Sequence, residues 1–574
     1  MAGSSASRCA VRRARLRPTE LPTEGPTEGP TEVDGCPIEV RAHDATPTRM
    51  SRSKHRAPAR SSTRAHARSS TRVPDRPRLL VAAPTGEVFE HPTFELAVEN
   101  GRDVLRAAKS ELIPIPPGWD LMAMPGTRPI GYDPQSATFT TVTTFTARFP
   151  DGSERTFEPV AVAVHPPPGY VRLFHPAAEY TDTTHPDEKL RALVEERARA
   201  SAARVAKARS KLTVVDDESS IIAPSSPMGG EDATRPGLPL WAYSAVGVSK
   251  QGPVAALFLA DETTRWKPEL FYQADLGDLI AARVAADPEN KILGQLAQCA
   301  GEYLCCCAQN IFYERWEGAV PTAPACTAAC LGCLSKDPEW GTPTPQKRLK
   351  FKPDPHEIAR VMAHHLERSD EGMVSFGQGC EGEPTMNGDV LVESVRLTRA
   401  MTQKGLININ TNGSRPDVVR RAAENGASVL RVSINTFDPA IYTAYYRPGD
   451  YTYDDVIRTL YVGRDMRMFV SINLLIWPGW TDRMDEIDRI SKIVDDGALQ
   501  MIQLRNLCVD PGHFRSVLPP PEERGLLLGM RAFVDELHRR HPKLRFGTFN
   551  PRLAAAWYEE VPPWVGARAR AEAR

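Results

Sequence analysis

The chain has 574 residues, 41% hydrophobic and 25% charged, with a formal net charge of −1. That length accommodates two or three domains with sizeable cores, and the composition excludes a fibrous or wholly disordered chain. The longest apolar run, Val254–Ala260, is far too short to cross a bilayer.

Residues 1–77 carry 15 Lys and Arg against 8 Asp and Glu, a net of +7 that leaves the remainder near −8. An acidic body argues against a nucleic-acid-binding face, so nucleic acid is an unlikely partner and a membrane is not expected. The segment lacks aromatic residues. It repeats Pro-Thr-Glu at Pro18, Pro22, Pro26 and Pro30, and Ala-Arg-Ser-Ser-Thr-Arg at 59–64 and 67–72. Such a sequence cannot bury enough surface to fold, which predicts a disordered basic, low-complexity tail. Its basic stretch from Arg49 to Arg72 fits a solvated tail better than a targeting or nucleic-acid-binding segment, and a start at Met50 or later is compatible with it.

Residues 78–180 read as a small, mostly β accessory domain. Ser136–Phe149 is dense in Thr, Val and Phe, and Asp151-Gly152 turns it back into Glu154–His165, a hairpin signal. Residues 181–237 hold a charged, Ala-rich helix (186–212) and a polar linker (216–237). Residues 238–320 form a lead-in segment, strands over Leu238–Ala260 and helix over Asp275–Asn310. Residues 321–515 alternate strands (Met373–Phe376, Leu406–Asn410, Val429–Ile434, Phe469–Ile476, Met501–Leu507) with helices near 354–367, 388–401, 415–425, 453–466 and 484–495. Repeated strand–helix units call for a parallel sheet with right-handed crossovers. Residues 516–574 read as a C-terminal extension, with a helix over Glu522–Arg540 that closes one edge of the sheet.

A closed eight-stranded barrel fills its interior with branched apolar side chains. These strands instead place Asn408, Asn410 and Asn412, then Arg431, Ser433 and Asn435, then Ser471 and Asn473, then Gln503 and Arg505 at alternate positions. Alternate residues share a face, so one face of the sheet is polar, as an open channel that takes a polar ligand requires.

Cys326, Cys330 and Cys333 are spaced CxxxCxxC in the loop that opens this region. Zinc sites usually close with a fourth ligand, and iron–sulfur clusters are normally held by four thiolates. Three close thiols without a fourth nearby point to a cluster with one iron left open. The alternative is a zinc-stabilised binding protein in which Cys380 joins the three. Of the other cysteines, adjacent Cys305–Cys307 read as small buried residues on a helix, and Cys380 as structural rather than reactive. Cysteine use overall fits a reducing cytoplasm.

The three-cysteine loop resembles the signature of the radical SAM superfamily, and Gly377-Gln-Gly-Cys380-Glu-Gly382-Glu383-Pro384 is similar to that family's Gly-Gly-Glu-Pro motif, with Glu381 in place of its first glycine. The resemblance implies a partial, open (β/α)6-type barrel and two cofactors, a [4Fe–4S] cluster on Cys326, Cys330 and Cys333, and S-adenosyl-L-methionine. Gly382, Glu383 and Pro384 would meet the methionine amino group. Asn412 ends the third strand in a Thr-Asn-Gly turn that resembles the family's. Ser433 and Asn435 would meet ribose and carboxylate, and Asn473 lies in a segment similar to the one that supports adenine. The activity implied is one-electron cleavage of the sulfonium to a 5′-deoxyadenosyl radical, which takes hydrogen from a small-molecule or peptide substrate. An electron donor such as flavodoxin or ferredoxin is implied with it. One departure is Gly332, where the family usually has an aromatic residue before the third cysteine. Phe376, Trp477 and Trp480 are equally readable as pocket lining and as core. No residue is singled out as catalytic beyond cofactor binding, and a nucleic-acid-modifying enzyme guided by the basic tail is a further alternative.

Overall fold

Seven strands in a single parallel sheet form the frame of the larger part of the chain. They are β1 (Glu317–Ala319), β2 (Met373–Phe376), β3 (Leu406–Thr411), β4 (Val429–Ile434), β5 (Phe469–Ile476), β6 (Met501–Asn506) and β7 (Arg545–Gly547). They pair strictly in chain order. The computed structural model describes residues 76–115, 121–181, 238–262, 264–336, 344–518 and 526–551. All of them lie in one compact unit. The expected tail up to residue 75, the charged helix over 186–212 and the linker over 216–237 lie outside the described residues.

The helices are α1 (Leu276–Ala286), α2 (Lys291–Gly301), α3 (Cys306–Phe312), α4 (Pro355–Arg368), α5 (Gly388–Met401), α6 (Pro416–Glu424), α7 (Pro439–Tyr446), α8 (Tyr453–Asp465), α9 (Met484–Asp495), α10 (Pro511–Val517) and α11 (Met530–Arg540). Their starts are written locally. Asp354 caps α4 by accepting from the His356 N–H at 2.7 Å, with Pro355 in the first turn. Thr452 and Asp455 form a capping box at α8. The curled sheet is thus a half-barrel of six β/α units plus β7, as the alternation predicts. The single helix expected over 275–310 is instead three, and the C-terminal helix begins at Met530.

The two faces of the sheet differ as the alternation requires. Ile407, Ile409, Leu430, Val432, Ile472, Leu474, Ile502 and Leu504 are buried in the main core, which includes the helices. On the other face Met373, Leu406, Val429, Phe469 and Met501 form a separate apolar cluster. Two residues further along the same strands that face turns polar. The floor of the half-barrel is therefore apolar and its upper interior is not.

The N-terminal part is a ten-stranded antiparallel sheet built on Arg78–Ala82, Val88–Leu96, Thr127–Asp133 and Val160–Val164. The expected hairpin forms between Phe145–Arg148 and Glu154–Phe157, with Gly152 at φ +85° in its turn. Ser244–Ser249 and Gly252–Ala255 join this same sheet, next to Arg78–Ala82 and Val160–Val164. A small two-stranded sheet, Tyr170–Arg172 with Leu257–Leu259, docks on the ends of β5 and β6. Fully buried Arg172 donates to the carbonyls of Ile476 (3.1 Å) and Leu507 (3.0 Å), with its guanidinium over the Trp477 ring. Asn506 accepts from the Arg172 N–H and donates to the Tyr170 carbonyl.

Candidate active site: a thiol triad beside a polar half-barrel

Cys326, Cys330 and Cys333 are all half-buried in the loop that follows β1. Burial raises the Cys326 thiol to about 11, with the Glu383 carboxylate adding to the shift, and it drives Cys330 well above its ordinary value. The Arg348 guanidinium works against this rise, since it lies 3.6 Å from the Cys333 sulfur and donates to Ser335 Oγ at 2.9 Å. Thiolates bind metal and thiols do not, so occupation and deprotonation are linked here.

Backbone contacts shape the loop. The C-terminal end of α7 offers its carbonyls to it: Ala329 N–H donates to Tyr446 (3.0 Å) and Leu331 N–H to Tyr445 (3.1 Å). A Cβ on Gly332 would lie 2.7 Å from Cys508 O and 2.9 Å from the Tyr445 hydroxyl, so no side chain, least of all an aromatic one, fits there. The departure from the family pattern thus has a steric cause. Tyr442, Tyr445 and Tyr446 are buried beside the loop.

The second piece is the loop after β2. Gly382 N–H donates to Ala323 O and Glu383 N–H to Ala325 O, both at 2.8 Å, which clamps this loop against the approach to Cys326. Glu381 is buried, and its carboxylate accepts from the N–H groups of Thr322 (2.7 Å) and Ala323 (3.1 Å). Where the motif has glycine, this chain has a brace for the cysteine loop. Burial raises Glu381 to about 7, against those hydrogen bonds.

Glu383 is also buried, and burial raises its carboxyl. Its Oε1 accepts from Thr411 Oγ1, Thr385 Oγ1 and Thr385 N–H, while Oε2 accepts from Asn412 N–H at 2.7 Å. Oε2 is the oxygen with capacity left for an ammonium donor. Pro384 starts the short 3-10 turn that Glu383 caps. Asn412 is occupied structurally, since its amide donates to Thr327 Oγ1 at 2.8 Å inside the cysteine loop.

Further along, Ser433 and Asn473 sit side by side in register on β4 and β5. Asn473 donates to Asn410 Oδ1 at 3.2 Å, and its own carbonyl oxygen and that of Asn435 are buried without a partner. Among the described residues no hydrogen bond joins Ser433, Asn435 or Asn473 to the triad loop or Glu383. Asn408, Ser471 and Gln503 are fully buried. Unpartnered amide oxygens among them, Asn408 Oδ1 and Gln503 Oε1, fit a polar ligand on this face.

Glu317 on β1 was not singled out in the sequence, yet it organises this face. It accepts from Ser375 Oγ at 2.6 Å and lies 3.5 Å from the Arg431 guanidinium, which donates to Asn410 Oδ1. Its only signal was an acidic residue opening an apolar stretch. Arg505 is near the same group, lowered to about 10 by burial and by Arg431. Phe376, Trp477 and Trp480 are core, not pocket lining: Trp477 stacks on Phe514 at 3.9 Å.

The zinc alternative gains no support. The buried Cys380 thiol is pushed well above its ordinary value by its neighbour Cys299 and by burial. Among the described residues no group of three or more His, Cys, Asp or Glu is drawn together tightly enough for a single metal ion. A cluster several atoms wide takes more widely spread thiols than one ion does.

The structure thus sets a thiol triad after the first strand of a parallel half-barrel, beside a buried carboxylate and a polar interior. Residues 320–490 match the radical SAM superfamily profile. Solved structures with similar arrangements include methylornithine synthase (14% identity, 42% of this chain and 68% of that one, TM-score 0.29). Another is the FeFe-hydrogenase maturase from Carboxydothermus hydrogenoformans (10%, 47% and 70%, 0.29). A third is coproporphyrinogen III oxidase from Escherichia coli (15%, 39% and 51%, 0.26). The chain thus spans between half and about 70% of those structures' lengths. No curated protein sequence matches it. No helix among the described residues is long and apolar enough to cross a membrane.

Proposed function

We propose that the chain reductively cleaves S-adenosyl-L-methionine, with Cys326, Cys330 and Cys333 as thiolate ligands of a [4Fe–4S] cluster. The supporting observation is the clamp of Gly382 and Glu383 onto Ala323 and Ala325, which sets a buried carboxylate beside the approach to Cys326. When bound, the cluster supplies one electron to the sulfonium and an open iron site for the amino acid part of the cofactor.

The chain's own residues do the rest. Glu383 Oε2 accepts from the cofactor ammonium, while Gly382 and Pro384 shape the backbone around it. Asn412 holds the cysteine loop through Thr327, so its part is positioning. Ser433, Asn435 and Asn473 offer hydrogen bonds from the polar face. Arg431, Glu317 and Gln503 bound the space where a polar substrate, a small molecule or peptide, is oriented. The tyrosines around the loop exclude water. A low-potential donor such as flavodoxin or ferredoxin delivers the electron.

The test is anaerobic reconstitution with iron and sulfide, reduction by dithionite, and chromatography of the products. The wild-type chain should release 5′-deoxyadenosine and methionine, and C326A/C330A/C333A should release neither. Cleavage by the triple variant at the wild-type rate removes the proposal.

A further inference from the structure

Three side-chain amides on the polar face of the half-barrel are all turned the same way. Asn408 donates through Nδ2 to Ser375 Oγ at 2.9 Å, and Ser375 donates in turn to the Glu317 carboxylate at 2.6 Å. A carboxylate only accepts, so the serine proton is committed to it and Asn408 has to present its nitrogen to the serine. Gln503 donates through Nε2 to Asn550 Oδ1 at 2.8 Å, and Asn550 donates to the Met373 sulfur at 3.2 Å, again a group that only accepts. Asn473 donates to Asn410 Oδ1 at 3.2 Å, while Asn410 spends its own nitrogen on the Gly377 carbonyl. Each relay ends on an acceptor, which fixes the orientation of every amide in it.

The outcome is one-sided: the amide nitrogens are used and the oxygens are left over. Asn408 Oδ1, Gln503 Oε1 and Asn473 Oδ1 are buried without a hydrogen-bond partner among the described residues. Asn408 and Gln503 are fully buried. They stand two residues beyond Leu406 and Met501 of the apolar floor, so both lie on the interior face just above it. Asn473 is in register with Gln503 on the neighbouring strand. A buried acceptor without a donor costs free energy, so this face is set up to receive one.

We propose that the half-barrel takes its substrate through neutral hydrogen-bond donors, hydroxyl or amide N–H groups, with Asn408 Oδ1 and Gln503 Oε1 as the accepting atoms. As a substrate class this rests on the cofactor-cleaving reading above. A carboxylate or phosphate would set oxygen against oxygen here, acceptor to acceptor. An ammonium group would find no net negative charge to offset its desolvation, because the Glu317 carboxylate is neutralised by the Arg431 guanidinium at 3.5 Å. A hydroxyl or an amide N–H satisfies the two oxygens without adding charge. The apolar floor of Met373, Leu406, Val429, Phe469 and Met501 then lies beneath the donors and suits a hydrocarbon portion of the same molecule.

Four small probes test it. Crystals of the full chain, reconstituted anaerobically with iron and sulfide, are soaked separately in formamide, ethylene glycol, acetate and methylammonium. Formamide or ethylene glycol should seat a donor within hydrogen-bond distance of Asn408 Oδ1 or Gln503 Oε1. Formamide alone there marks an amide donor in the substrate, and ethylene glycol alone a hydroxyl. The bound probe should be lost from Asn408 in Asn408→Leu crystals and from Gln503 in Gln503→Met crystals; if one variant fails to fold, the other carries the comparison. Water alone at both oxygens, acetate or methylammonium against either, or a probe that stays put in both variants overturns the proposal. The same wild-type preparation is assayed for 5′-deoxyadenosine release. No release with a neutral donor seated leaves the ligand chemistry of this face standing and sinks the cofactor-cleaving reading, whereas release with only water at both oxygens does the reverse.

Discussion

Gly382 and Ala325 meet backbone to backbone: a Cβ on Gly382 would stand 1.9 Å from the Ala325 carbonyl oxygen and 3.1 Å from the Cys326 nitrogen. Neither obstacle is the movable end of a side chain. Gly382→Ala should therefore displace the cysteine loop and cost about 1–3 kcal/mol of stability, the usual range for overpacking. Iron per chain after reconstitution should fall more steeply than the melting temperature. A variant with normal iron content and wild-type melting would show that the two loops are not in fact clamped.

Arg348 sets its guanidinium 3.6 Å from the Cys333 sulfur. Hydrogen bonds and net charge near the sulfurs tune cluster potentials. Arg348→Met should therefore shift the potential more negative by roughly tens of millivolts, since a reduced cluster loses a stabilising positive neighbour. A redox titration followed by electron paramagnetic resonance measures it. An unchanged potential means that the contact does not persist once the cluster is bound.

Arg172 ties the small sheet of Tyr170–Arg172 and Leu257–Leu259 to the ends of β5 and β6. Removing it leaves the Ile476 and Leu507 carbonyls without their donor and takes a cation from over Trp477. Arg172→Met should lower stability by about 2–4 kcal/mol, because hydrogen bonds to charged groups are among the stronger ones. Arg172→Lys should rescue little, as an ammonium lacks the planar fork. Denaturant midpoints and slopes for the three chains provide the check.

Asp482 lies just past the Pro478-Gly479 turn, fully buried, and accepts from the Gly479 N–H at 2.6 Å. Burial raises its carboxyl from 3.8 to about 7, against that hydrogen bond and Arg483. The folded chain thus binds the proton more tightly than the unfolded one. The contribution is complete below about pH 4 and is lost as pH rises through about 7. Glu381 acts in the same direction. Asp482→Asn should flatten part of the fall in stability between about pH 4 and pH 7, read from denaturation midpoints across that range. An identical pH profile in the variant would exclude Asp482 as its source.

Local spacing in the sequence was enough to place the cysteine loop, the Gly382-Glu383-Pro384 turn and five of the seven parallel strands. Those features are carried by neighbouring residues, through a side-chain period of two in strands, a period of 3.6 in helices and the turn chemistry between them. Short elements escaped this reading: β1, β7 and α7 are too brief to show a period, and β1 brought in Glu317. Which distant residues meet was decided only by packing. The Asn100-Gly101 turn between the short strands Val98–Glu99 and Val104–Leu105 abuts the Pro478-Gly479 turn so closely that a Cβ on Gly101 would lie 2.4 Å from the Pro478 carbonyl oxygen. The Tyr445 hydroxyl fills the space that Gly332 leaves, and Cys380 lies buried beside Cys299. Contacts of this kind depend on the volumes and orientations of elements hundreds of residues apart, which no local pattern of residue types encodes.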